Sequence, residues 1–179
     1  IRFENSDLGP IPEGAKVVSL DSIARISSGK RIKERSDRMT AADTTPLYGG
    51  GGQIGYVPCS LFENPVLFTG RAGTLGQVFR TTGPSWLSDN TLVVEPFEGS
   101  FYFAYCLLKE LDLTNLNCGS TQPLLTRKDL SRQRFVSPGP RCLQSFASIA
   151  GDLFMKIDTL NQESHCLRVV RDLLLNELF

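Results

Sequence analysis

The chain is poor in the residues that most often do chemistry. Histidine occurs once, at His165, and the five cysteines (Cys59, Cys106, Cys118, Cys142 and Cys166) include no C-x-x-C pair. A zinc ribbon needs clustered thiolates and imidazoles, so none is expected, and an odd, scattered set is no disulfide framework. Reduced thiols in the cytoplasm fit best. Long apolar runs are missing, which excludes a membrane-spanning helix, and no secretory signal opens the chain. The first residue is Ile1 rather than Met, so a fragment or a processed piece is expected. Catalytic signatures are missing too. The only Gly-Lys step is Gly29-Lys30; the earlier glycine of a phosphate loop would fall at Ala24, and Arg31 replaces the magnesium-binding hydroxyl. Gly70-x-x-Gly73-x-x-Gly76 misses the dinucleotide spacing, and neither H-E-x-x-H nor G-x-S-x-G occurs. An amine methyltransferase would carry a tetrad of the N-P-P-Y kind, but Asn64-Pro65 runs into Val66. No catalysis, metal or cofactor is expected on this chain.

Net charge is absent as well, since nineteen Lys and Arg balance nineteen Asp and Glu. The average hides an uneven distribution. Residues 24–38 hold Arg25, Lys30, Arg31, Lys33, Arg35 and Arg38 against Glu34 and Asp37, a net +4. Residues 127–141 hold Arg127, Lys128, Arg132, Arg134 and Arg141 against Asp129, again +4. The stretch between carries a net −4, with Arg71, Arg80 and Lys109 against seven acids. Two basic islands can form a local phosphate-binding face without a high isoelectric point, although solvated turns would show the same charges.

What remains is a β-rich chain of 179 residues with one long helix. The opening ENSDLGPIPEG, punctuated by Pro10 and Pro12, is expected to be an extended leader on the surface. Ser19 before Leu20, Ile23, Ala24 and Ile26 reads as a short N-capped helix, and residues 27–46 as a polar, basic stretch forming a long exposed loop or an irregular strand. Short β-type runs follow between glycines: Val66-Leu67-Phe68, then Leu75, Val78 and Phe79, then Thr91–Val94. Residues 101–112 form an amphipathic helix, with Phe101, Tyr105, Leu108 and Leu111 on one face. A short helix from Thr126 and a strand near 134–136 precede Pro138-Gly139-Pro140, the clearest boundary. Two units are expected, 1–140 and 141–179. The second has no proline and one glycine, and counting in sevens from Phe146 gives Leu153, Leu160, Leu167 and Leu174. That repeat predicts a helix of roughly 50 Å pairing with another long helix; capping its own sheet is the alternative.

Three glycine-bearing ends, 49–52, 70–76 and 118–122, carry side chains suited to base edges. Gln53 and Gln122 can pair with adenine and Arg71 with guanine, while Ser88, Asn90 and Thr121 can reach bases or phosphates. Tight turns in a small β-domain would use the same glycines.

The order of motifs resembles the specificity subunit of type I restriction–modification systems. The matching segments are VVSLDSIARISSGKRI, PLYGGGGQIGYV, NPVLFTGRAGTLGQVF, GPSWLSDNTLVV, FYFAYCLLKEL and LNCGSTQPLLTRKDL, followed by a long helix. The resemblance implies an α+β fold: a twisted, mixed β-sheet target recognition domain with small helices, then a long C-terminal coiled-coil-type helix. It implies a non-catalytic subunit that reads one half of a bipartite sequence in double-stranded DNA. Its helix would pair antiparallel with a counterpart and dock methyltransferase subunits, which bring S-adenosylmethionine; restriction and translocase subunits join them. Family subunits usually carry two recognition domains and two helices. This chain has one of each, so it is either half of a longer chain or a half-subunit that homodimerises through the helix. On this reading Lys30, Arg31, Lys33, Arg35, Arg127, Lys128, Arg132 and Arg134 grip phosphates. Tyr48, Gln53, Arg71, Ser88, Asn90, Thr121 and Gln122 read bases, and Phe146, Leu153, Leu160, Leu167 and Leu174 pair the helix. Two alternatives stay open: the recognition module of a fused DNA methyltransferase, and a protein-interaction module with no DNA role.

Overall fold

Thr91–Pro96 carries aliphatic side chains at consecutive positions, which suits a strand covered on both faces. In the computed structural model, which describes residues 2–72, 76–116 and 124–178, that segment lies inside the largest sheet. In chain order the strands are β1 Phe3–Ser6, β2 Gly9–Pro12, β3 Lys16–Ser19, β4 Ala24–Ser28, β5 Thr45–Gly49, β6 Gly52–Val57, β7 Leu67–Gly70, β8 Val78–Arg80, β9 Trp86–Leu87, β10 Thr91–Pro96 and β11 Arg134–Ser137. The helices are α1 Phe101–Glu110, α2 Arg127–Ser131 and α3 Pro140–Leu178.

The largest sheet has the order β4-β10-β7-β8 and is antiparallel throughout. A second sheet, β6-β5-β9, is mixed, because β9 runs parallel to β5. The pairs β11-β3 and β1-β2 complete an α+β structure. Alternation splits the core across the main sheet. Leu67, Leu92 and Val94 face Ala104 and Leu108 of α1, together with Leu125, Leu130 and Phe135. Phe68 and Val93 face the opposite way, toward Leu87 and the ring of Tyr48. Phe68 is buried between Tyr48 and Phe79, with ring centroids at 5.2 and 5.1 Å.

Three expectations need correction. The leader is a hairpin rather than an extended strap: β1 pairs β2, with Ile11 buried. Its prolines do no harm because the Glu13 N–H donates to the Arg2 carbonyl, which puts Glu4–Ile11 and Ser6–Gly9 in the hydrogen-bonded class of pairs. Pro10 and Pro12 then fall at non-bonded positions, where a missing N–H removes nothing from the ladder. The helix expected at Ser19 is only a 3-10 turn at Leu20–Ser22, and Ala24–Ser28 is strand. The Ser19 hydroxyl bonds the Asp21 carboxylate instead of capping the backbone. Leu75 lies outside the described residues.

The third correction concerns α3. Its first half packs on α1: Phe146 meets Phe103 edge-on at 6.2 Å, and Phe154 stacks on Tyr102 at 4.9 Å. The docked face runs through Leu143, Phe146, Ala147, Ala150, Phe154 and Asp158 at steps of three and four, which is one side of a helix. Leu153 lies off that face and is 61 % exposed, as are Leu160, Leu167 and Leu174 at 47, 70 and 55 %. The heptad line from Phe146 therefore divides, its first residue turned inward and the other four outward. From Thr159 to Leu175 every residue is exposed.

Candidate nucleic-acid interface

Several loops meet at one end of the main sheet. The register sets Ser28, the end of β4, opposite Leu92, and Gly70, the end of β7, opposite Thr91. Beyond these ends the Gly29 N–H donates to the Thr91 carbonyl and the Lys30 N–H to the Leu87 carbonyl at 2.8 Å. The Arg71 N–H donates to the Asn90 carbonyl at 2.8 Å, and the Ser88 N–H to the Tyr48 carbonyl at 2.9 Å. The glycine tip of the β5–β6 hairpin closes on the same place. A Cβ on Gly50 would stand 3.0 Å from the Gly70 Cα, so the approach depends on glycine.

Beside these ends opens a groove of about 740 Å³ lined by Arg25, Arg71, Arg127 and Lys128, with Asp21 as its one carboxylate. It draws on both basic islands and on the middle stretch. Arg25 is brought in by β4, and Arg71 by the turn after β7. The Leu125 N–H donates to the Arg71 carbonyl at 2.9 Å, and Leu124 bridges to Ala72, which brings the chain into α2. Thr126 caps α2 by accepting from the Asp129 N–H at 3.2 Å, and this sets Arg127 and Lys128 on the groove wall. All four cations are exposed. With one carboxylate against four cations, they form a local positive field on a neutral chain.

The other candidates scatter. Lys30 sits at the sheet end, exposed, and its carbonyl accepts from the Trp86 indole at 2.8 Å. Arg31 is exposed nearby in sequence. Lys33 and Arg35 line a separate depression with Glu34 and Asp43, so carboxylates offset them. Arg132 is exposed past the end of α2. Arg134 pairs with Asp7 at 2.7 Å, and its guanidinium holds that carboxyl below the usual carboxylate range. Among the base-reading candidates, Arg71, Gln53 and Asn90 are exposed and Ser88 half-buried. The Gln53 side chain reaches back to the Gly55 carbonyl at 3.4 Å. Tyr48 packs into the core against Phe68, and burial pushes its phenol pKa up. Thr121 and Gln122 lie outside the described residues. Sequence reasoning counted Arg25 in the first island but not among the contacts. The alternation of ARISS, with Ala24 inward and Arg25 outward, was the available signal.

Among the described residues no group of metal ligands occurs, and no helix is long and apolar enough to cross a membrane. Exposed cations in one groove, loop ends stripped to glycine beside it, and a leucine-bearing rod on the same chain suit the class of nucleic-acid-binding modules mounted on a helix. The family comparison narrows this class. Residues 12–140 match the type I restriction modification DNA specificity domain, and the chain belongs to that family. It is thus a recognition module rather than a catalyst. Among curated proteins no relative matches. Among solved structures, the type I restriction–modification S subunit from M. genitalium is similar at 26 % identity and TM-score 0.74, over 93 % of this chain and 46 % of that one. A chain from a structure describing complex assembly and conformational transition of the type I R-M system shares the fold at 12 % identity and TM-score 0.61, over 86 % of this chain and 41 % of that one. The HsdS subunit from Thermoanaerobacter tengcongensis does so at 12 % and 0.57, over 90 % of this chain and 42 % of that one. The chain spans less than half the length of these solved chains.

Proposed function

We propose that the chain reads one half of a bipartite duplex sequence. The observation that carries this reading is the groove in which Arg25, Arg71, Arg127 and Lys128 meet beside the loop ends at Ser88–Asn90 and Gly49–Gly52. Within the groove, Arg25, Arg127 and Lys128 hold phosphates, which fix register but carry no sequence information. The exposed loop side chains, Arg71 and Asn90 above all, read base edges. The two roles separate by experiment, using a pool of random-sequence duplexes to obtain the preferred half-site. Lys128→Ala is expected to weaken all duplexes alike and to flatten the salt slope by about one unit. Asn90→Ala is expected to cost about 1–3 kcal/mol at one base pair and leave the slope unchanged. Should both substitutions act uniformly across sequences, the division of roles fails. A wild-type chain with no salt-dependent affinity for duplex DNA overturns the reading altogether.

The rod is the second half of the proposal. Leu153, Leu160, Leu167 and Leu174 present an apolar stripe that nothing described in the chain covers, and a soluble surface rarely leaves such a stripe bare. Its occupant in this reading is a counterpart helix, antiparallel, in a second copy or in the other half of a longer chain. The paired rods then space two readers and dock methyltransferase subunits carrying S-adenosylmethionine, with translocating endonuclease subunits alongside. Leu160→Lys combined with Leu167→Lys is expected to convert a dimer to monomers in sedimentation velocity while duplex half-site affinity stays unchanged. An unaltered sedimentation profile would show that the stripe is not the pairing surface.

A further inference from the structure

Among the described residues, one ion pair joins the rod to the reading domain, beside the ring contacts between α3 and α1. At the end of β8 the Arg80 guanidinium donates from Nη1 to Asp158 Oδ2 at 2.9 Å and from Nη2 to Oδ1. Its central carbon lies 4.9 Å from the centroid of the Phe154 ring. That ring is stacked on Tyr102 and meets Tyr105 edge-on at 5.4 Å. The Arg80 side chain is 12 % exposed and Asp158 38 %, so the contact is largely shielded from water. Stacked rings lose little on a small slide or rotation, because their dispersion is spread over many weak contacts. A planar two-point fork loses more, because both hydrogen bonds fail once the planes tilt.

Two further features give this fork leverage. β8 pairs with β7, with Arg80 opposite Leu67, and β7 ends one residue before the groove cation Arg71. Fork and groove therefore share one hydrogen-bonded pair of strands. On the other side, Asp158 is the last described residue of α3 that an ion pair ties to the sheet. The twenty residues from there to Leu178 form a free arm of about 30 Å. Play of about 7° at the fork moves the far end of that arm by about 3.5 Å, close to the rise of one base pair.

We infer that the Arg80–Asp158 fork is a positioning element for half-site spacing: it fixes the angle at which the rod leaves the reader, and so the number of base pairs between two half-sites. This rests on the duplex reading and rod pairing proposed above. A fork that merely stabilised the fold would, when broken, weaken every duplex equally and leave the preferred spacing untouched.

Two measurements separate these cases. The exposed native thiols Cys59 and Cys166 lie on opposite sides of the fork, one in the domain and one on the free arm. With the other cysteines replaced by serine, spin labels at these two positions report the domain-to-arm distance by pulsed electron resonance, in full chain diluted with unlabelled chain. Arg80→Ala and Asp158→Asn are expected to widen that distribution by about 3 Å. Selection of the same variants against random-sequence duplexes is expected to return the wild-type half-sites with the single preferred spacing spread over neighbouring values. Arg80→Lys keeps the cation but loses the fork, so it gives the same result even where the alanine variant fails to fold. An unchanged distance distribution overturns the inference, and so does a widened one with unchanged spacing. If the wild-type chain selects no spaced half-sites, the DNA reading fails and takes this inference with it, while the resonance result still stands on its own.

Discussion

Replacing Arg25, Arg127 and Lys128 together by alanine is expected to lower affinity for any duplex by about three orders of magnitude at 0.1 M salt. Each phosphate contact releases condensed counterions and contributes about 0.9 to the slope of log affinity against log salt. Three contacts contribute about 2.7, and at 0.1 M salt that slope is the loss in decades. The three side chains are exposed, so their removal opens no cavity, and unchanged thermal unfolding separates lost binding from lost folding. The placement of carboxylates sets the contrast. Lys33 and Arg35 share their depression with Glu34 and Asp43, and Arg134 is already engaged by Asp7. Removing those three should move the slope less, even though the sequence lists them in the same islands. Fluorescence anisotropy of a labelled duplex between 50 and 300 mM salt, roughly the range over which counterion release is resolved, checks both sets. A steeper loss from Lys33 and Arg35 than from the groove would move the interface to the β5–β6 sheet.

The division between what the sequence discloses and what it conceals follows contact range. β10 and β7 were legible because consecutive buried positions leave a plain apolar run. α2 was legible from Thr126, and α3 from the missing prolines after Pro140 and the repeat of seven from Phe146. These signals lie within a few residues of the structure they make. The groove is different, because Arg25 and Arg71 become neighbours only through the order β4-β10-β7, a pairing no local pattern encodes. Arg80 looked like a stray cation in an acidic stretch, and its partner lies 78 residues away. Arg134 looked like a phosphate ligand until the leader folded back to present Asp7, 127 residues earlier. Tyr48 illustrates a further limit. An aromatic beside a glycine tip suits base stacking as well as core packing, and only the position of Phe68 decides for the core. On the rod, the period of seven was visible, but it could not reveal that Phe146 would turn inward onto Phe103 while the later leucines face out.

Gly29→Ala is expected to destabilise the chain by about 3 kcal/mol, near the top of the range for overpacking, and to lower its melting temperature by about 6–12 °C. Gly29 has no left-handed backbone to blame; the obstacle is space. A Cβ at that position would stand 2.1 Å from the Ser88 carbonyl oxygen and 2.3 Å from that of Leu87, both backbone atoms with no rotamer to escape through. Relief requires the end of β4 to move away from the 87–91 turn by more than an ångström. That motion stretches the bonds from Gly29 N–H to the Thr91 carbonyl and from Lys30 N–H to the Leu87 carbonyl. Each contributes about 1 kcal/mol, and the strain adds to their loss. The same turn sets the Ser88 and Asn90 backbones, on which Tyr48 and Arg71 hang, so surviving folded protein should also lose half-site preference before it loses general affinity for duplex. Gly83, where an added Cβ meets nothing within 4 Å, is the internal control. Alanine there should be neutral or slightly stabilising, because it narrows only the unfolded ensemble. If differential scanning calorimetry finds Gly29→Ala as mild as Gly83→Ala, the close crossing of β4 over the 87–91 turn is wrong, and with it the convergence of loops on which the reading surface depends.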